Sequence, residues 1–121
     1  MEELSYVDFL LAVQTIAEKS KNLLVDSIYG IPRGGLSIAL YLSHLTGLPI
    51  IEKENINRHT LVVDDISDSG TTLAKYKLLG CKIATIYYHR QSKVKPDIWI
   101  YEKGKDWIKF PWETNVSTKN Y

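Results

Sequence analysis

Two adjacent carboxylates stand where a buried strand is expected to end. Residues 61–63 are apolar and mostly β-branched, which is typical of a strand buried on both faces of a parallel sheet. Asp64 and Asp65 follow them directly, and we call these two residues the acidic pair. Carboxylate oxygens accept hydrogen bonds from hydroxyl groups and are ligands for hard cations. The position therefore suits a ligand with hydroxyl or metal-bound groups.

A hydroxyl-rich turn with one glycine comes next. It consists of Asp68, Ser69, Gly70, Thr71 and Thr72, here called the hydroxyl turn, and a helical pattern follows it. A glycine-containing turn at a helix N-terminus presents free backbone N–H groups and the positive end of the helix dipole, which together bind anions. The alternative is a simple helix N-cap, which explains Asp68 and Ser69 but gives the acidic pair no role. The combination favours a ligand that has both phosphate and hydroxyl groups.

A second glycine turn, Pro-Arg-Gly-Gly over residues 32–35, follows an earlier strand pattern. In this arginine turn, Gly34 and Gly35 allow backbone conformations closed to other residues and let N–H groups approach a ligand closely. Arg33 adds a planar cation that binds phosphate oxygens through two hydrogen bonds. The alternative is a helix-entry turn with a solvent-exposed arginine. The motifs Gly-x-x-x-x-Gly-Lys-Ser/Thr and Gly-x-Gly-x-x-Gly are absent from the sequence.

Strand and helix patterns alternate along the chain, which predicts an α/β fold with a mostly parallel sheet and helices on both faces. We expect a single domain over residues 1–121. Ligands of such sheets bind beyond the carboxyl ends of the strands, where the arginine turn and the acidic pair both lie. The expected helices cover residues 6–20, 36–45 and 72–79, and the expected strands cover 23–31, 49–52, 61–63, 82–88 and 97–101.

Composition excludes several classes of protein. The net charge of +1 gives no reason to expect a nucleic acid or a membrane as partner. The single cysteine, Cys81, excludes an intrachain disulfide and fits a reducing compartment. The N-terminus lacks the basic and apolar regions of a signal peptide, and no apolar run is long enough to span a bilayer. We therefore expect a cytoplasmic protein.

Three segments carry a family resemblance. Residues 61–72 resemble the phosphoribosyl pyrophosphate signature of the type I phosphoribosyltransferases: a hydrophobic strand, two acidic residues and an Asp-Thr-Gly-Gly-Thr-like loop. The arginine turn resembles the pyrophosphate loop of that family, which often holds a non-proline cis peptide bond, here expected just before Gly34. Residues 107–113 resemble the Trp-Ile-x-x-Pro-Trp ending of bacterial and archaeal xanthine–guanine and related 6-oxopurine members. The resemblance implies the type I fold, with a C-terminal hood over about residues 96–113 and a polar, frayed tail over 114–121.

The resemblance implies phosphoribosyl pyrophosphate as one substrate and Mg²⁺ as cofactor. Asp64 and Asp65 would hold the ribose hydroxyls directly or through the metal, with Asp65 as the metal contact. The residues implied to hold pyrophosphate are Arg33, Gly34 and Gly35, and those implied to hold the 5′-phosphate are Ser69, Gly70, Thr71 and Thr72.

The second implied substrate is a purine base, namely guanine, xanthine or hypoxanthine. By the same resemblance, Asp68 would take the proton from an imidazole nitrogen of the purine. Trp107 would stack on the purine ring, and backbone groups around Ile108 would read its edge. Pro111 and Trp112 would support this segment. The alternative is that the tryptophans only fill a gap in the core.

Two features depart from the family pattern. Where the 6-oxopurine members carry Lys-Pro, with the lysine bonding the purine 6-oxygen, this chain has His89 and Arg90. His89 would donate to that oxygen only in the right tautomer or protonation state. The connection over residues 52–60 is also shorter than the mobile loop of the family. These departures leave open a non-catalytic regulator that binds phosphoribosyl pyrophosphate or a nucleotide. Relatives are commonly dimers or tetramers, so we expect a homodimer or homotetramer.

Overall fold

The computed structural model describes residues 2–104 and 108–112, along which strands and helices alternate. In chain order the elements are β1 (Glu2–Glu3), α1 (Tyr6–Ser20), β2 (Ser27–Gly30), α2 (Gly34–Thr46), a 3-10 turn (Lys53–Asn55), β3 (Thr60–Ser67), α3 (Thr71–Leu78), β4 (Lys82–Tyr88), β5 (Ile98–Glu102) and β6 (Ile108–Lys109). None of the helices in these ranges is long and apolar enough to cross a membrane.

A four-stranded parallel sheet with the order β2-β3-β4-β5 forms the centre of the fold. The first half of β3 is buried on both faces, since Leu61, Val62 and Val63 are all fully buried. Leu61 and Val63 join the core that α1 and α2 cover, whereas Val62 joins a second core covered by α3. The predicted α/β fold, with helices on both faces of a parallel sheet, is confirmed.

Two predicted elements have the expected bounds, the helix over 6–20 and the strand over 82–88. Helix α1 begins where predicted because the Oγ of Ser5 accepts a hydrogen bond of 3.0 Å from the backbone N–H of Asp8. Its apolar stripe, which includes Phe9, Val13 and Ile16, is buried against the sheet as the helical spacing requires.

The two strands predicted before β3 are shorter in the structure. The strand predicted over 23–31 begins only at Ser27, and Leu24 in the lost part is 86% exposed. The strand predicted over 49–52 is a single bridge between Ile28 and Ile50. Here the chain lies at the edge of the sheet and turns at once into the 3-10 turn, so pairing ends after one residue.

Strand β3 is longer than predicted, because β4 continues to pair with it beyond the acidic pair. Ile66 lies opposite Tyr87, and Ser67 lies opposite Tyr88. The acidic pair therefore lies inside the last half of the strand rather than after it. This correction gives both carboxylates a backbone held by the sheet.

The C-terminal segment is attached to the body of the fold through the N-terminus. β1 pairs in parallel with β6, and the N–H of Leu4 donates to the carbonyl of Lys109 at 2.9 Å. Trp112 stacks on Phe110 at 5.1 Å between ring centroids and meets Phe9 edge-on at 5.3 Å. This packing fits both the predicted supporting role of Trp112 and the alternative that it fills a gap in the core. The predicted tail over 114–121 lies outside the described residues.

Candidate active site

The arginine turn and the acidic pair are in direct contact at the carboxyl end of the sheet. A Cβ atom added to Gly34 would lie 2.2 Å from Oδ2 of Asp65. One added to Gly35 would lie 2.3 Å from the carbonyl oxygen of Val63. Neither glycine has a positive φ, so the first expected reason for them, an unusual backbone conformation, is wrong, whereas the second, close approach of their N–H groups to a ligand, stays a prediction. They are glycines because α2 begins so close to β3 that no side chain fits.

Arg33 precedes helix α2 and is exposed to solvent. The peptide bond between Pro32 and Arg33 is cis, so the non-proline cis bond expected just before Gly34 is present one residue earlier. Helix α2 begins beside the acidic pair, because Gly34 lies against Asp65. An anion can bind at this turn, next to two carboxyl groups, only if a cation or a proton offsets their negative charge.

The acidic pair combines one accessible and one buried carboxyl group. Asp64 lines a cavity of about 120 Å³ with the hydroxyl turn, whereas Asp65 is 4% exposed. Oδ1 of Asp64 accepts a hydrogen bond of 2.8 Å from the N–H of Asp65. Within the described part of the chain, Oδ2 of Asp65 is buried without a hydrogen-bond partner. An unpaired buried oxygen of this kind is costly, so it indicates a place where a ligand donor or cation belongs.

The pKa of both carboxyl groups is raised. Burial, followed by the neighbouring charge of Asp65, raises the pKa of Asp64 to about 9. Burial also raises the pKa of Asp65. Two carboxylates this close cannot both ionise easily in a low-dielectric site. The ligand-free pair therefore holds a proton at neutral pH, and a cation or hydroxyl donors would replace it.

The hydroxyl turn presents its side chains at the N-terminus of α3. Ser69, Thr71 and Thr72 are exposed, and Ser69 Oγ accepts a hydrogen bond of 3.2 Å from the N–H of Thr71. Gly70 has a φ of +80°, in the left-handed region that favours glycine. A Cβ at Gly70 would also lie 2.6 Å from Oγ of Ser92, so the loop after β4 lies directly against this turn.

Asp68 forms an ion pair that the sequence analysis missed. Nζ of Lys103 lies 3.3 Å from Oδ2 of Asp68, and the Lys103 side chain is only 12% exposed. The N–H of Lys103 donates to the carbonyl of Tyr88 at 2.8 Å, which fixes its backbone beside the end of β4. Lys103 belongs to no motif and follows a different strand. The one signal in the sequence is that Lys103 follows the last predicted strand. The carboxyl end of that strand lies at the same edge of the sheet as Asp68.

The residues that replace Lys-Pro have different roles. Nδ1 of His89 accepts a hydrogen bond of 3.1 Å from the N–H of Gln91. A neutral His89 therefore carries its proton on Nε2 and is a donor. His89 lines a cavity of about 320 Å³ with Asp68 and Ser69. Arg90 forms an ion pair with Glu102.

The structure thus brings most of the predicted site residues to one edge of the sheet. These are Arg33, Gly34, Gly35, Asp64, Asp65, Asp68, Ser69, Gly70, Thr71, Thr72 and His89. Ile108 lies in β6 with its side chain buried in the main core, and the reading of a purine edge by its backbone stays a prediction. The stacking role predicted for Trp107 falls outside the described residues.

The acidic pair could hold a metal ion only together with a ligand or water. No group of three or more His, Cys, Asp or Glu side chains among residues 2–104 and 108–112 is arranged to hold a metal ion. Mg²⁺ is usually bound by one or two carboxylates together with substrate phosphates and water. The acidic pair, with the unpartnered oxygen of Asp65, fits that mode of binding.

Comparisons with known proteins agree with this fold. No protein-family model matches the chain. A purine phosphoribosyltransferase from Pyrococcus horikoshii has a solved structure with a TM-score of 0.80 and 30% sequence identity, and the match covers 93% of each chain. A xanthine-guanine phosphoribosyltransferase from Cereibacter sphaeroides is 26% identical, over 72% of this chain and 68% of that protein. A xanthine-guanine-hypoxanthine phosphoribosyltransferase from Helicobacter pylori shares the fold, with a TM-score of 0.78 and 23% identity over 98% of this chain and 97% of that one.

The parallel sheet, with its arginine turn, acidic pair and hydroxyl turn at one edge, is the architecture of a type I phosphoribosyltransferase. With a 30% identical relative matched over nearly its whole length, the chain belongs to the purine phosphoribosyltransferases of this family.

Proposed function

We propose that the chain transfers the 5-phosphoribosyl group of phosphoribosyl pyrophosphate to a 6-oxopurine, namely guanine, xanthine or hypoxanthine. The products are a purine nucleoside monophosphate and pyrophosphate. The observation that carries the proposal is the contact of Gly34 with Asp65 beside the hydroxyl turn. The contact brings the two turns together at one edge of the sheet, where a cation, two carboxyl groups and a helix N-terminus would match the pyrophosphate, ribose hydroxyls and 5′-phosphate of a single ligand.

In the proposed reaction, the bond between ribose C1 and the pyrophosphate oxygen breaks, and its electron pair leaves with pyrophosphate. The lone pair of purine N9 forms the new bond to C1. The proton on N7 of the purine passes to the carboxylate of Asp68. Arg33 and the N–H groups at the start of α2 would stabilise the charge that develops on pyrophosphate. Ser69, Thr71 and Thr72 would fix the 5′-phosphate so that C1 faces the base.

Mg²⁺ is part of the proposal. When bound, it would supply positive charge to the leaving pyrophosphate. Asp64 lines the cavity, and Asp65 has an oxygen without a partner among the described residues, so these two side chains would hold the ion or its water. Asp65 remains the proposed metal contact. Removal of Mg²⁺ with a chelator is expected to abolish nucleotide formation, and full activity in the chelator would contradict this part of the proposal.

The choice of a 6-oxopurine is supported by the Cereibacter sphaeroides relative, which is a xanthine-guanine phosphoribosyltransferase. The test is an assay of nucleotide formation from phosphoribosyl pyrophosphate and Mg²⁺ with guanine, xanthine, hypoxanthine and adenine in separate reactions. We expect product with at least one 6-oxopurine and little with adenine. No product with any base would overturn the proposal.

A second candidate is a regulator that binds phosphoribosyl pyrophosphate or a nucleotide without turnover. The observation that favours it is the connection between Ile50 and β3, which contains one 3-10 turn and little else to cover the reacting centre. Thermal stabilisation by phosphoribosyl pyrophosphate with no nucleotide formed from any base would select this candidate.

A further inference from the structure

Lys103 is a largely buried cation in contact with Asp68, the proposed proton acceptor. Its side chain is 12% exposed, whereas Lys21 and Lys77, which also form ion pairs, are 69% and 46% exposed. A lysine this buried is rare unless it is paired, and its partner is the proposed proton acceptor Asp68 at 3.3 Å. An ammonium with so little access to water needs hydrogen-bond acceptors beside it, so it favours ligands that present an acceptor there.

The register of the sheet explains how Lys103 reaches this position. Tyr88 at the end of β4 lies opposite Glu102 at the end of β5. The next residues of the two strands, His89 and Lys103, therefore emerge side by side at the carboxyl edge. The hydrogen bond from the N–H of Lys103 to the carbonyl of Tyr88 holds this arrangement.

The chemistry of the purine edge matches this pair of groups. N7 and the 6-substituent of a purine lie next to each other on one edge, and guanine presents an acceptor oxygen at position 6 whereas adenine presents an amino donor. An ammonium has three donors and no acceptor. When the N7–H of the purine donates to Asp68, a neighbouring 6-oxygen can accept a hydrogen bond from Lys103. A 6-amino group is itself a donor, so it cannot accept from the ammonium.

We propose that Lys103 is the residue that selects a 6-oxo over a 6-amino purine, by donating to the 6-oxygen while Asp68 accepts from N7. This inference rests on the proposed function of the site. Arg90 pairs instead with Glu102, away from Asp68, and its side chain is 81% exposed. His89 lines the same cavity as Asp68, whereas the Lys103 ammonium forms an ion pair with Asp68 itself, so an unchanged base preference in Lys103→Gln would assign the role to His89 instead.

The test compares hypoxanthine with adenine, which differ only at position 6. The variants are Lys103→Gln, whose amide can accept as well as donate, and Lys103→Arg, which only donates. The exposed Lys95 supplies a matched control, Lys95→Gln, on the loop after β4. We expect Lys103→Gln to reduce the preference in kcat/KM for hypoxanthine over adenine by roughly 10- to 100-fold. The KM for phosphoribosyl pyrophosphate should be unchanged, Lys103→Arg should keep most of the preference, and the control should keep all of it.

A second readout does not depend on turnover. Titration calorimetry with inosine monophosphate and adenosine monophosphate measures the same discrimination in binding. We expect the wild type to prefer the 6-oxo nucleotide and Lys103→Gln to bind both equally. A Lys103→Gln variant that is folded by its unfolding temperature and keeps the wild-type preference would overturn the inference. Absence of turnover in the wild type would instead overturn the proposed activity, and the calorimetric comparison would still decide the role of Lys103.

Discussion

Gly34 lies against the carboxyl group of Asp65, and this contact joins the two halves of the site. Gly34→Ala would put a methyl group 2.2 Å from Oδ2 of a side chain that is too buried to move aside. We expect a loss of about 1–3 kcal/mol in the free energy of unfolding and a marked loss of activity. Chemical denaturation measures the stability change. Gly104→Ala is the control, since no atom of the described part of the chain lies within 4 Å of a Cβ there. Equal stability of the two variants would contradict the contact.

Asp68 is the proposed proton acceptor, and its substitution separates chemistry from binding. Asp68→Asn removes the base while keeping the shape of the side chain, so we expect kcat to fall by roughly 10²- to 10⁴-fold. The affinity for phosphoribosyl pyrophosphate should change little. Glu18→Gln, at an exposed position of α1, is the control for loss of one negative charge. A variant that keeps its kcat but loses affinity for phosphoribosyl pyrophosphate would show that Asp68 binds rather than transfers the proton.

At the residue scale, motif spacing predicted most of the residues that lie together at the site, but it missed Lys103 and gave a wrong reason for Gly34. The acidic pair, the hydroxyl turn and Arg33 were found from short contiguous patterns, because such patterns preserve local geometry. Lys103 was missed because it reaches Asp68 through the pairing of β4 with β5, and residues 35 positions apart leave no local signal. The reason for Gly34 was wrong because a close approach between elements is invisible in local sequence.

The loop after β4 braces the hydroxyl turn, and Ser67 is central to that brace. Its Oγ is buried and donates to the carbonyl of Val94 at 3.0 Å, with Ser92 Oγ at 2.7 Å. We expect Ser67→Ala to lower stability by about 1 kcal/mol and to raise the KM for phosphoribosyl pyrophosphate roughly five-fold. Steady-state kinetics and denaturation measure the two effects.

The control for Ser67 is Ser43→Ala. It removes another serine-to-carbonyl hydrogen bond, to Leu48 at 2.6 Å, at the far end of α2. This variant should lose similar stability with no change in KM. If both variants changed KM alike, the brace would have no special link to the phosphate site.

At the element scale, prediction succeeded where one physical signal dominated. Helix α1 has a side-chain cap and a regular apolar stripe, and β4 is a continuous run of strand-favouring residues, so their bounds were correct. The lengths of the edge strand at Ile50 and of β3 beyond the acidic pair were predicted wrongly. Each length depends on how far the neighbouring strand continues to pair, and a local sequence pattern does not contain that information.

The whole molecule should show the raised pKa of Asp64 in its stability. A carboxyl group whose pKa is about 9 in the folded state is favoured there in its neutral form. Its contribution to stability is complete below the unfolded pKa of about 4 and is lost as pH rises toward 9. We expect the metal-free, ligand-free protein to lose up to about 1 kcal/mol per pH unit across this window.

Unfolding measured from pH 5 to pH 9 tests this expectation, with Asp64→Asn as the matched variant because its amide cannot ionise. The difference between wild type and variant isolates the carboxyl group of Asp64 from every ionisable group that the two proteins share. Stability of the wild type relative to Asp64→Asn should fall as pH rises. A difference that stayed constant, or rose, would contradict a proton shared within the acidic pair.

The global arrangement was partly predictable. Alternating strands and helices gave the parallel sheet with its two covered faces, and the carboxyl edge as the site followed from it. The pairing of β1 with β6 was not foreseen, since two-residue strands have no periodicity to read. The expected homodimer or homotetramer stays a prediction that sedimentation velocity of the purified chain would test.

The central claim is that the arginine turn and the hydroxyl turn bind opposite ends of one ligand. Titration calorimetry of Arg33→Ala and Thr71→Ala with phosphoribosyl pyrophosphate, pyrophosphate and ribose 5-phosphate tests it most directly. The account predicts that both variants lose affinity for phosphoribosyl pyrophosphate. Arg33→Ala should also lose affinity for pyrophosphate only, and Thr71→Ala for ribose 5-phosphate only. Wild-type affinity of Arg33→Ala for phosphoribosyl pyrophosphate would contradict it.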